Sequence, residues 1–157
     1  KDMVAGIHKA MIRATEPLDS NDQVAYSALA SAKGKIMTWF NMAVKLGLDA
    51  LRLDDGWTIY SGGYTSHPQK NDFRMAIFIT DDEVTQVADG KFYLGTSKTN
   101  LIQSKVATMV VGANASLLAA AGFSGLVAGK KYYWQFRPDA DDPCEGSDSG
   151  IYSAYAV

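Results

Sequence analysis

Residues 131–137, Lys-Tyr-Tyr-Trp-Gln-Phe-Arg, constrain the fold more than any other stretch of the chain. From Tyr132 the side chains alternate: Tyr132, Trp134 and Phe136 take one side of an extended backbone, and Tyr133, Gln135 and Arg137 take the other. A period of two over bulky residues predicts a β-strand with one buried face and one wet face. Leu126 lies upstream of Tyr132, with Gly129 between them where the chain must turn. Leu126, Gly129, Tyr132, Trp134 and Phe136 are therefore the expected structural core.

The punctuation after residue 50 is that of a β domain. Strand-like runs cover 57–60, 73–80, 91–94, 104–111, 131–137 and 151–157, separated by Gly-Gly, Asp-Gly, Gly-Lys and Asp-Pro turn signals. No helical stretch separates consecutive strands, so an antiparallel sandwich is expected in preference to βαβ units. Ser61-Gly-Gly63 is expected to be a hairpin turn. The alanine-rich run 113–121 reads as an edge strand or a covered loop, because a long apolar edge left bare invites aggregation.

The first fifty residues have a different period. Met3, Val4, Ile7, Met11 and Ile12 recur at helical spacing opposite His8, Lys9 and Arg13, and Pro17 limits that helix. Ser20 with Gln23 fits a capping box for a second helix over 22–32. Ile36, Trp39, Phe40, Ala43 and Val44 predict a third over 35–46, with Gly47 as its C-terminal cap; a strand over 36–40 is the alternative. The expected fold is α+β: a short N-terminal helical arm (1–50) followed by an antiparallel β-sandwich domain (51–157).

Composition bounds the function. Apolar residues make up 47% and charged residues 20% of 157, an ordinary globular balance. A net charge of -2 offers no basic face for nucleic acid or anionic lipid, and no apolar run approaches the ~18 residues of a membrane span. Cys144 is the single cysteine, which excludes an internal disulfide. A chain that begins at Lys1 suits a processed exported or virion subunit, or a fragment of a longer protein. Asn114-Ala-Ser116 is a glycosylation sequon only in a eukaryotic secretory setting.

Several motifs together resemble a known family. Leu126, Gly129 and Tyr132 are similar to the "tyrosine corner" that enters a late strand of fibronectin type III-like and related immunoglobulin-like sandwiches. Residues 91–97, Lys-Phe-Tyr-Leu-Gly-Thr-Ser, resemble the middle strand of bacterial fibronectin type III-like repeats, and 148–156 resemble their last strand. The likeness covers about residues 73–157. Ala128 stands where the family usually has proline, and 73–80 lacks the early-strand tryptophan. The resemblance implies an adhesive or structural module.

Candidate chemistry is sparse. Leu53-Asp-Asp-Gly-Trp57 resembles a run found in some α-galactosidase-type enzymes, but their barrel needs well over ~200 residues, so a turn is expected. Asp139, Asp141, Asp142 and Glu145 share one loop and could offer oxygens to calcium, although Pro143 and Cys144 break the EF-hand pattern; a solvated acidic loop is the alternative. His8 and His67 lie apart from each other and from Cys144, which leaves neither a local zinc set nor a triad base near a nucleophile elbow. Trp57, Tyr60 and Tyr64 form the candidate ligand platform, since exposed aromatics beside polar turns stack on sugars or proteins. The expected function is a non-enzymatic structural subunit of an extracellular assembly, either a phage virion protein (capsid decoration, tail or fibre) or a cell-surface filament subunit. Its expected partners are other protein subunits, without nucleic acid, membrane insertion or cofactor. The rival is a carbohydrate- or ligand-binding adhesion module.

Overall fold

The computed structural model describes residues 18–52, 58–67, 70, 72–81, 87, 89–111 and 117–157. The helix expected over 3–12, His8, the Asp-Asp-Gly-Trp run with Trp57, and the sequon at Asn114 all fall outside these residues. The described elements are α1 (Ser20–Ala32), α2 (Trp39–Arg52), β1 (Thr58–Ser66), β2 (Phe73–Asp81), β3 (Gly90–Gly95), β4 (Gln103–Val106), β5 (Thr108–Val111), β6 (Leu117–Phe123), β7 (Lys131–Pro138) and β8 (Tyr152–Tyr155). The fold is α+β. Two antiparallel four-stranded sheets, in the orders β1-β2-β6-β5 and β4-β3-β7-β8, form a β-sandwich.

Alternation builds the layer between the sheets. Phe73, Met75, Ile77 and Ile79 of β2 are buried, as are Phe92 and Leu94 of β3 and Tyr132, Trp134 and Phe136 of β7. Phe92 lies 5.6 Å from Trp134 and 5.2 Å from Phe136 between ring centroids, and Trp134 stacks on Tyr152 at 4.5 Å. Each such ring stabilises the fold by roughly 1.5–3 kcal/mol through burial. Leu126 is buried beside them, and the Tyr132 hydroxyl accepts the Val127 N–H at 3.1 Å. Gly129 turns the chain at φ +79° and donates its N–H to Ala156 at 2.7 Å.

The second face of β7 is not wet. Gln135 is only 2% exposed, because Tyr26, Leu29, Ala30, Met42, Ala43 and Leu46 of the two helices cluster with Ile151 and Tyr133 outside the sheet. The burial is tolerated because the Gln135 amide is satisfied. Its Nε2 donates to the Ser149 carbonyl at 2.7 Å and its Oε1 accepts from Arg137 Nε at 2.8 Å.

Helix α1 is docked through one carboxylate. Asp22 is fully buried and accepts the N–H of Gly62 at 2.9 Å, the N–H of Gly63 at 3.2 Å and the Tyr152 hydroxyl. The Tyr26 hydroxyl accepts the Tyr60 N–H, and Ile151 donates its N–H to Ala25 O at 2.9 Å. These bonds supply partners to backbone at the β1 and β8 edges, groups that an open sheet would leave bare.

Local structure departs from expectation at several points. The α1 cap is Asp19 with Asp22 as its reciprocal partner, because these carboxylates take the box that Ser20 and Gln23 also fit. Helix α2 starts after Thr38, whose hydroxyl accepts the Asn41 N–H at 3.2 Å, and runs through Gly47 to Arg52. Buried Met42, Ala43 and Leu46 and the Lys45–Asp49 ion pair outweigh the roughly 1 kcal/mol cost of an interior glycine. Ser61-Gly-Gly63 is a bulge inside β1, not a hairpin turn: pairing with β2 shifts between Ser61 and Tyr64, and Gly62 adopts φ +63°. A Cβ on Gly63 would overlap the Tyr152 ring at 2.4 Å.

The expected run 104–111 is two strands. It crosses from one sheet to the other at Ala107, whose N–H donates to Gly90 O at 2.9 Å. The described part of the alanine-rich segment, 117–121, lies in β6, which sits between β2 and β5 in its sheet instead of at an edge.

Candidate functional site

Tyr60 and Tyr64 of the expected aromatic platform do not share an exposed face. Tyr60 is fully buried, 5.6 Å from the Phe136 ring, and its hydroxyl donates to Ser147 O at 2.7 Å. Burial pushes the Tyr60 phenol well above its ordinary range. The residue is core, because it pairs with inward-facing Ile79, and the bulge after Ser61 then puts Tyr64 on the opposite face. Trp57 lies outside the described residues. Tyr64 alone of the three is shown at the surface, 51% exposed.

The acidic loop is engaged in holding itself together. Asp142 is buried and accepts the Asp89 N–H at 3.1 Å through one oxygen and the Cys144 N–H at 2.9 Å through the other. Asp139 pairs with the Lys91 ammonium at 3.0 Å, while Asp141 and Glu145 are exposed. Among the described residues, no group of three or more His, Cys, Asp or Glu side chains is placed to hold a metal ion, so the four carboxylates offered to calcium do not converge. Cys144 is a buried thiol, and His67 packs edge-on to Phe73 at 5.5 Å. Asp148, on the way to β8, has its carboxyl raised above the usual range by burial, against the pull of Arg137 and Lys33.

A site absent from the sequence reading lies on the outer face of the β1-β2-β6-β5 sheet. Since Phe73, Met75, Ile77 and Ile79 of β2 point into the core, Arg74 and Ala76 point outward. Pairing then sets Tyr64, Ala76, Ala120 and Thr108 in one row across four strands, with Ser66, Arg74 and Gly122 in the next. Ala76, Ala120 and Gly122 contribute at most a methyl each, so the sheet face sinks into a trough of about 530 Å³. Tyr64 walls one end. Lys105 reaches the other from β4, on the side of that strand where its partner Phe92 faces inward.

Arg74 is the trough's most distinctive group. Its chain lies over Gly122: a Cβ there would sit 3.2 Å from Arg74 Cγ and 3.7 Å from Nε. Among the described residues, Arg74 forms no ion pair, although Asp72 also lines the trough. A lone arginine at the start of the continuous apolar run 75–79 is ordinary for a strand end, so no sequence signal marked it.

A separate surface follows the opposite rim of the sandwich from α1. Ile102, Val106 and Val110 are 74%, 68% and 45% exposed along the passage from β4 to β5. No described helix is long and apolar enough to cross a membrane. The sequence matches no protein-family model and no curated protein.

Proposed function

We propose that this protein is a non-enzymatic structural subunit of an extracellular assembly, either a virion component (capsid decoration, tail or fibre) or a surface-filament subunit. The observation that carries this reading is the exposed pair Ile102 and Val106 on the outer face of β4, at the rim opposite α1. Two aliphatic side chains at 74% and 68% exposure on one face are what a protein contact covers. Each contributes up to roughly 1.5–3 kcal/mol when fully buried.

The immunoglobulin or fibronectin type III-like character of the sandwich belongs to the same proposal. Its support is the strand order, which matches the constant-type immunoglobulin arrangement with one strand added beside β3, and the Tyr132–Val127 bond in the position of a tyrosine corner. Sandwiches of this kind commonly serve as assembly modules, although a fold alone does not fix a function.

Sedimentation and negative-stain imaging over a range of protein concentrations test the assembly. Wild-type protein should form defined oligomers or join particles, and Val106→Glu should return it to monomer with the fold intact. A strictly monomeric wild type at every concentration, absent from particles in its native source, would contradict the proposal.

A further inference from the structure

We propose that the trough on the outer face of the β1-β2-β6-β5 sheet binds a carboxylated saccharide, stacked against Tyr64 and held through its carboxylate by Arg74. A sugar ring has an apolar C–H face and a polar rim. The trough has matching parts in that arrangement: the half-exposed Tyr64 ring at one end, the methyl floor of Ala76 and Ala120, and the hydroxyls of Ser66 and Thr108 along its sides. Its volume of about 530 Å³ falls within the roughly 300–1,000 Å³ of small-molecule clefts.

Charge selects the acidic sugar over a neutral one. Arg74 and Lys105 face a single carboxylate, Asp72, which leaves the trough locally positive in a chain whose net charge is -2. The guanidinium has no protein carboxylate to answer it among the described residues, and its fork matches a carboxylate in two parallel bonds. Gly122 is what allows Arg74 to lie across the floor, since any Cβ there would press on its Cγ.

Other ligand classes fit less well. Nucleic acid gains affinity by neutralising many phosphates, and two cations beside an aspartate cannot supply that. A peptide anchors through side chains sunk in pockets, and a floor of methyl groups has no pocket of that depth. The trough opens on one sheet, whereas Ile102 and Val106, which carry the assembly reading, leave the outer face of the other; Val110 is on the trough's own face and is no part of that reading, so this site stands or falls separately.

The test is titration of the full chain at about 0.15 M salt with trigalacturonic acid and sialyllactose, against neutral galactotriose and lactose. Amide shifts in NMR and calorimetry read the binding. At least one carboxylated sugar should shift amides of β2, β5 and β6 and bind at least about tenfold tighter than its neutral counterpart. Arg74→Gln should abolish that preference, weakening the acidic sugar at least about tenfold so that it binds no tighter than its neutral counterpart. Tyr64→Ala should weaken acidic and neutral sugars alike. Gly122→Ala, which leaves the backbone unstrained, should weaken the acidic sugar severalfold by displacing Arg74, with the amide spectrum otherwise native. Equal affinity for acidic and neutral sugars, an Arg74→Gln variant that binds like wild type, or no shift with any sugar would overturn the proposal. So would inorganic sulfate shifting the same amides as strongly as the sugars, which would reduce the trough to a simple anion site.

Discussion

Replacing Asp22 by alanine tests whether the helices are held to the sandwich by one buried carboxylate. Four donors converge on it: the N–H groups of Gly62 and Gly63, the Tyr152 hydroxyl and, at the helix cap, the Asp19 N–H. Hydrogen bonds to a charged acceptor contribute roughly 1.5–3 kcal/mol each, and a donor orphaned in the interior costs roughly 1–3 kcal/mol. Relief of the carboxylate's own desolvation offsets part of the sum, which leaves a loss of about 4 kcal/mol for Asp22→Ala. That is a large share of the roughly 5–15 kcal/mol that holds a domain folded, and corresponds to a fall in Tm of about 8–16 °C in a chain of this size. Asp22→Asn keeps the shape but turns an amide N–H toward backbone N–H groups, and should lose about 2–3 kcal/mol. Urea unfolding measures both, with the slope m as a check that the unfolded reference is unchanged. Asn21→Ala removes only a bond from an exposed side chain to Gly63 O and should cost about 0.5–1 kcal/mol. If Asp22→Ala and Asn21→Ala lose the same amount, below about 1 kcal/mol with m constant, the docking argument is wrong.

Three further outcomes follow from individual contacts. Tyr132→Phe leaves the Val127 N–H without its acceptor and should lower stability by about 1–2 kcal/mol in urea, with little change in core packing. Gly150→Ala would place a Cβ 2.5 Å from the Ala25 carbonyl carbon and 2.6 Å from the Tyr26 nitrogen, so it should force α1 off β8 and cost at least about 1–3 kcal/mol; a variant as stable as wild type would contradict that contact. Asp148 has a folded-state pKa above its unfolded value of 3.8, so its contribution to stability is fully present below the unfolded pKa and is lost as pH rises through the folded one. Asp148→Asn should therefore stabilise the protein at pH 7 more than at pH 3.5, as read by melting temperature across that range.

The parts of the fold that a period can encode were readable from residues alone. Alternation in 131–137 assigns Tyr132, Trp134 and Phe136 to the core without knowledge of any neighbour, because a pleated strand fixes which side each residue takes. What depends on pairing partners was not readable. Alanine has no strong period, so the central place of β6 follows only from its register with β2 and β5. Ala107 has no turn chemistry, yet it is where the chain changes sheet. Tyr60 reads as a strand aromatic that could face either way; its register with Ile79 turns it inward, and the bulge at Gly62 turns Tyr64 outward. The trough was hidden for the same reason: Arg74 and Gly122 meet only because β2 and β6 are neighbours.

The two lateral rims of the sandwich solve the edge problem in opposite ways, and the difference limits how the protein can assemble. On the β1–β8 side the helix supplies partners for strand backbone, so no further chain can pair there without displacing α1. On the β4–β5 side no described helix covers the edge. There β4 is only four residues long, exposed throughout, and directs Lys105 to the inward side. A short edge strand with an inward-pointing lysine is a poor template for strand addition, since an incoming strand would have to desolvate the ammonium. Ile102 and Val106 leave the other side of the same strand and are not protected in this way. Under the proposed function, assembly at this rim would therefore proceed by packing of side chains on a face, not by extension of a sheet. The two modes separate in one experiment: Val106→Glu should abolish assembly, whereas Ser104→Pro, which removes a backbone donor from β4, should block only strand addition and leave face packing in place. Loss of assembly in a folded Ser104→Pro variant, with Val106→Glu still assembling, would refute the argument.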